Sequence, residues 1–217
     1  MSDFSRIMLF AKRLMLERLF STRMYIMLPI LLLFIPGMAW GFSDPNIVLP
    51  GGHQPDTAME VLFYASLGVV FGATMCAVLL SYDSVSKERA SGVLELRLSQ
   101  PMPRSHQAIA MILGSWRAIL GPTWILLLFS VLIVRYRMGE WLSITDCLVY
   151  FTSTALILLW YVLFTLLASS YTREQGTAIS FGVGLWFLFT FLWALVTTMV
   201  AYASGVSIGQ ENNTAWI

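Results

Sequence analysis

The ionisable side chains of this chain crowd into one place. Asp83, Lys87, Glu88, Arg89, Glu95, Arg97 and Arg104 all fall within Tyr82–Arg104, YDSVSKERASGVLELRLSQPMPR, whereas Val61–Leu80 just before it carries no charge. Acids and bases mixed at this density suit ion pairs and hydrogen bonds with the polar surface of another macromolecule. Bond-making chemistry needs other groups. His53 and His106 lie in separate loops, and no H-E-x-x-H motif or Cys/His cluster occurs, so no metal site is expected. Ser91-Gly92 and Ser204-Gly205 stand alone, without a G-x-S-x-G elbow. Cys76 and Cys147 sit in or beside apolar runs and read as packing residues. No catalytic residue is expected, and a net charge of +1 gives no reason to expect nucleic acid.

The elements that must carry the charged island are apolar. The chain is 58% hydrophobic and only 12% charged, with a mean hydropathy of +0.74. A soluble domain carries about 25% charge, so the chain is expected to be all-α and integral to a membrane. A crossing helix needs about 20 apolar residues. Five segments qualify: Met24–Phe42, Val61–Tyr82, Ala108–Val134, Cys147–Ser169 and Thr177–Ala203. The N-terminal charged run is too long for a cleaved signal. Within Asp3–Phe20, Phe4, Ile7, Met8, Ala11, Leu14, Met15 and Leu19 recur at helical spacing, which predicts a basic amphipathic helix over 1–22 at the lipid surface. A plain extension of the first span is the simpler alternative. The island, 83–107 with its neighbours, must lie in water.

The basic residues orient the spans. Arg6, Lys12, Arg13, Arg18, Arg23, Lys87, Arg89, Arg97, Arg104 and Arg173 fall on one side, and only Arg135 and Arg137 on the other. The N-terminus and the island are therefore expected in the cytoplasm of a cell whose plasma, or inner, membrane holds the chain. Arg117 is the one charge deep in an apolar run. It is expected to snorkel or to pair with a neighbouring helix, or else to line a path for an anion. Thr152, Ser153 and Thr154 suit hydrogen bonds between helices, or contact with something passing. Gly182 and Gly184 allow close helix approach, and Pro122 predicts a kink.

Inside the island, Ser86 is placed to cap a short helix that Gly92 stops, and Pro101 and Pro103 break the chain before the next span. A solvated connector needs less order than this. The run resembles the pattern Y-D-x-I-x-x-E-x-x-x-G-T-L-x-L-L-L-S-x-P-x-x-R of the type-2 ABC permease superfamily, at Tyr82, Asp83, Glu88, Gly92, Leu94, Leu96, Leu98, Ser99, Pro101 and Arg104. It is most similar to permeases of the multicopper-enzyme-maturation group, which includes the nitrous-oxide-reductase maturation permease. Ala178–Phe191, AISFGVGLWFLFTF, is similar to the fifth helix of that group. The chain departs from the family at Ala110-Met111-Ile112, where Gly-Lys-Phe is common. The family's sixth span has no counterpart, so a truncated or unusually short member is expected.

The resemblance implies a permease subunit of an ABC transporter, acting in export. Two permease copies would form a homodimer, served by two copies of an ABC ATPase subunit and, where present, an extracytoplasmic accessory protein. Lys12 and Lys87 are the only lysines and neither follows a glycine, so no Walker A loop can be drawn. The chain is thus expected to be no enzyme and to bind no cofactor, with ATP and Mg²⁺ on the partner. The resemblance makes Asp83, Ser86, Lys87, Glu88, Arg89, Gly92, Glu95 and Arg104 the coupling helix and its contacts. The amphipathic start becomes the connecting helix. Arg117, Thr152 and Thr154 are the candidate pathway residues. The competing readings are a membrane assembly subunit with no pathway and an intramembrane enzyme, the latter disfavoured by spans that lack carboxylates.

Overall fold

The computed structural model describes residues 3–47, 54–93, 103–172 and 174–203. Among them every regular element is helical, and five helices are long and apolar enough to cross a membrane. Helix α1, Asp3–Leu19, precedes them and buries Ala11 and Leu14. Both rest on Gly114 of a later helix, where a Cβ would stand 2.8 Å from Leu14 Cβ and 2.9 Å from the Ala11 carbonyl oxygen. The missing side chain is what lets the two helices lie flush. Phe4, which the periodicity places on the same face as Ala11, is exposed, as is Leu9, so only the middle of the predicted face is packed.

Ser21 turns the chain from α1 into α2, Thr22–Phe42. Its hydroxyl donates to the Arg18 carbonyl at 2.7 Å and accepts from the Met24 N–H at 3.4 Å. Helix α2 keeps Pro29 and Pro36 in its interior, as membrane helices can. Met24, Met27, Leu31, Ile35 and Ala39 form its buried stripe, spaced by three and four residues. The second span is α3, Ala58–Gly68, a π-helical turn over Val69–Ala73, and α4, Thr74–Ser81. Thr57 caps it by accepting from the Glu60 N–H at 3.2 Å, while Glu60 accepts from the Asp56 N–H at 2.9 Å. After the short helix α5, Ser86–Ala90, come α6, Arg104–Met138, and α7, Ile144–Tyr171. The fifth span is α8, Gln175–Phe187, a second π-helical turn over Leu188–Leu192, and α9, Trp193–Ala203.

These helices overrun the apolar limits in the sequence, because a helix need not end where lipid does. At 35 residues, α6 is about 52 Å long against about 30 Å of hydrocarbon. It runs unbroken through Pro122 and ends at Gly139, whose φ of +78° is left-handed.

The second span is the most enclosed of the five and the fifth the least. One apolar cluster joins Leu31, Leu62, Ile119, Leu127, Leu158 and Val162, none with any exposed surface. Lipid is as apolar as these side chains, so close packing and polar contacts must hold the bundle. A Cβ on Gly182 would meet Val78 Cγ1 at 3.1 Å, whereas one on Gly184 meets nothing within 4 Å. Only the first of the two expected close approaches therefore exists. The two π-helical turns face each other through Phe71 and Phe191, whose ring centroids are 5.3 Å apart. Just beside them, Trp186 Nε1 donates to Thr74 Oγ1 at 2.8 Å.

The tightest approach is Gly68, where a Cβ would fall on the backbone carbonyl of Phe34. Gly68→Ala is expected to cost about 1–3 kcal/mol through overpacking, and Gly184→Ala to be neutral. Thermal unfolding of the two variants in detergent checks this; equal midpoints would refute the close contact.

Candidate functional site

Helix α5 sits where the sequence expects a short charged helix, but its hydrogen bonds come from elsewhere. Ser86 is its first residue, and the cap position is Val85, which offers no side-chain acceptor. The N–H groups of Val85 and Ser86 instead donate to Ser169 Oγ on α7, each at 3.1 Å. Ser169 Oγ also lies 3.4 Å from Ser86 Oγ. The expected Ser86 cap is thus corrected. Ser86 is fully buried and held by α7, because an interior N–H must find a partner wherever one is close. Gly92 does stop the segment, with φ at +72°.

The other side of the segment is fastened to α1 and α2. Asp83 is only 8% exposed. Its carboxylate meets Arg23 at 2.8 Å, and that guanidinium also lies over the Tyr82 ring, 5.1 Å from its centroid. Arg18 of α1 donates to Ser84 Oγ at 2.5 Å and to Ser115 of α6. Arg89 donates to the carbonyls of Ser170 at 2.9 Å and Thr172 at 3.2 Å. It thereby covers the negative end of α7. Helix α5 is therefore tied to α7 by its own residues, and to α1 and α2 by Asp83 and Ser84 just before it.

This sorts the expected contact residues. Asp83 and Ser86 are buried and committed inward, whereas Arg89 is exposed even as it bonds the end of α7. Lys87 and Arg104 are exposed, and Glu88 is half-buried. Glu88 and Lys87 line a polar cavity of about 350 Å³ with Glu17, Arg18, Arg23 and Asp83. Glu95 lies outside the described residues. Arg18, Arg23, Ser169 and Ser115 were not singled out as site residues. Their partners lie as far as 97 residues away along the chain, and no local spacing signals that.

The candidate pathway residues are not gathered. Arg117 turns to α1, where Nη1 donates to Met8 Sδ at 3.1 Å. Its neighbour Trp116 is the residue that reaches α7, donating to the Ala155 carbonyl at 2.9 Å. Thr154 is buried and Thr152 exposed, as residues two apart on a helix face different ways.

At the opposite end, the two arginines that run against the charge bias have local partners. Arg137 pairs with Asp44 at 3.2 Å and covers the Trp40 ring at 4.6 Å. Arg135 lies 5.1 Å over the Trp141 ring. The Asp44 carboxyl is held below its ordinary value of 3.8, first by the Asn46 backbone N–H and then by the Asn46 and Arg137 side chains.

Five spanning helices, a leading helix and a braced charged segment between the second and third spans define a polytopic membrane protein with a built surface at one end. That architecture has a family. The family model for ABC-2 family transporter proteins matches residues 16–213, and the chain belongs to that family. It is a permease subunit of an ABC transporter, integral to a membrane. Comparison with curated proteins finds no relative that matches.

Arg23→Ala strands a mostly buried carboxylate and is expected to cost about 2 kcal/mol, while Asp83→Asn costs less. The double variant Arg23→Ala with Asp83→Asn is expected to recover part of the loss, read by thermal unfolding; strict additivity would deny the pair. Folding lowers the Asp44 pKa, so its contribution is present above 3.8 and is lost as pH falls through the lowered value. Asp44→Asn is expected to flatten the fall in unfolding midpoint below that pH; an unchanged fall would remove the assignment.

Proposed function

We propose that the segment around Ser86–Ala90 is the coupling surface of this permease, seating a separate ATPase subunit and passing its movement to the spans. The observation that carries the reading is the two-sided character of the segment. Its inner side is fixed to α2 through Asp83 and to α7 through Ser86, and Arg89 adds exposed bonds to the end of α7. Its outer side keeps Lys87 exposed, with Arg104 at the start of α6. A solvated connector needs no such bracing. Arg104 sits at the positive end of a helix dipole, which disfavours it by about 0.3–1 kcal/mol. A partner's acidic surface would give it a reason to be there.

In this mechanism ATP and Mg²⁺ bind the ATPase, and this chain binds no cofactor and catalyses nothing. Closure of two ATPase copies presses on α5 of two permease copies. Because the brace joins α5 to the start of α2 and the end of α7, that push tilts both spans rather than bending a loop. The working direction is export. The excess of Lys and Arg supports a cytoplasmic N-terminus and segment in a plasma membrane, and Arg135 and Arg137 weigh less against it because each has a local partner. Placement among the multicopper-enzyme-maturation permeases rests on the island pattern and on Ala178–Phe191.

The test is co-expression with the candidate ATPase subunit. The permease alone is expected to hydrolyse no ATP, and the pair to purify together. Lys87→Glu is expected to lower ATPase recovery about tenfold, as loss of a charged contact does, with an unchanged unfolding midpoint for the permease. Wild-type recovery in that variant, or hydrolysis by the permease alone, would overturn the proposal.

A further inference from the structure

Arg117 has a setting that neither the brace nor the coupling surface uses. Among the described residues its one partner is the thioether of Met8, a weak acceptor for a guanidinium with five N–H donors. The side chain lines a groove of about 440 Å³ between α1, α2 and α6. Leu19, Met24, Leu28, Gly121 and Ile125 are among its walls, and Arg117 is the one charged residue there.

We infer that this groove is a lipid site, holding an acyl chain of an anionic phospholipid with its phosphate on Arg117. The apolar walls suit a hydrocarbon chain and no polar solute. The planar guanidinium matches a phosphate bidentately. Depth agrees: Arg117 lies one turn beyond Gly114, where α1 crosses α6, and an amphipathic helix in the interface lies at the boundary of headgroups and acyl chains. A zwitterionic headgroup brings its own cation to compete with Arg117, so the net anionic lipid is favoured. Such a lipid would tie α1 to the spans at the end where α1 also holds Ser84. The inference needs the chain to sit in a membrane but not to couple to an ATPase, and its test involves no ATPase.

Native mass spectrometry of the full chain in detergent reads the site, titrated with phosphatidylglycerol, phosphatidylcholine of the same acyl chains, or inorganic phosphate. The wild type is expected to retain one phosphatidylglycerol about tenfold more tightly than Arg117→Leu does, the loss of one charge-assisted contact. Phosphatidylcholine is expected to be held about as weakly as the variant holds phosphatidylglycerol, and phosphate alone not to be retained. Gly121→Leu provides a second arm, because a Cβ there meets nothing within 4 Å. Its side chain fills the groove, and phosphatidylglycerol retention should fall with Arg117 intact. Retention unchanged in either variant, equal retention of phosphatidylcholine, or binding of phosphate alone would each overturn the site.

Discussion

A buried N–H without an acceptor costs about 1–3 kcal/mol, and the start of α5 presents two of them where the neighbouring residues offer no cap. Ser169 meets both from α7, 83 residues from Ser86. The neighbouring Asp83 carboxylate, nearly buried, requires a cation and finds Arg23 at the head of α2. These two requirements, one for an acceptor and one for a charge, decide how the segment sits. The rest of that end follows: Arg18 can reach Ser84, and Arg89 can reach the last carbonyls of α7, only because α5 is held between them. A short helix that would be unstable alone becomes the point where several helices meet.

The spans obey a different constraint. Lipid gives apolar helices no reason to prefer one another, so approach distance and scarce polar groups select the partners. Gly68 and Gly114 remove the side chains that would hold α2 from α3 and α1 from α6. Trp186 with Thr74 and Tyr161 with Thr190 then join neighbouring spans by hydrogen bonds, the second at 2.9 Å. Both pairs lie at or beside the π-helical turns, where extra carbonyls and a local widening give side chains room to meet. The second span is thus locked in the centre, and the fifth keeps most of its surface outward.

Much of this was legible in the sequence, for a physical reason. Twenty apolar residues between charges admit few structures, and the three-and-four spacing of Ile7, Ala11 and Leu14 already draws one face of α1. The stop at Gly92 is local chemistry and was read correctly. What depended on tertiary approach was not legible. Ser86 had the right type and spacing for a cap, yet Ser169, with nothing in its surroundings to mark it, does that work from another helix. Arg89 reads as an exposed charge and is one, but its bonds to the carbonyls of Ser170 and Thr172 are tertiary and no local spacing signals them. Thr152 and Thr154 read as a pair in the sequence but face different surroundings on the helix.

The central claim is that the outer face of α5 meets the ATPase. Cross-linking with a thiol-attached photoreactive reagent tests it most directly, from single cysteines in place of Lys87 and, for comparison, exposed Tyr136 at the far end of α6. Cys147→Ser provides the background, since Cys76 is buried. The account predicts a cross-link to the ATPase subunit from position 87 that changes on adding ATP, and none from position 136. A cross-link from position 136, or none from position 87 in a complex that still hydrolyses ATP, would contradict it.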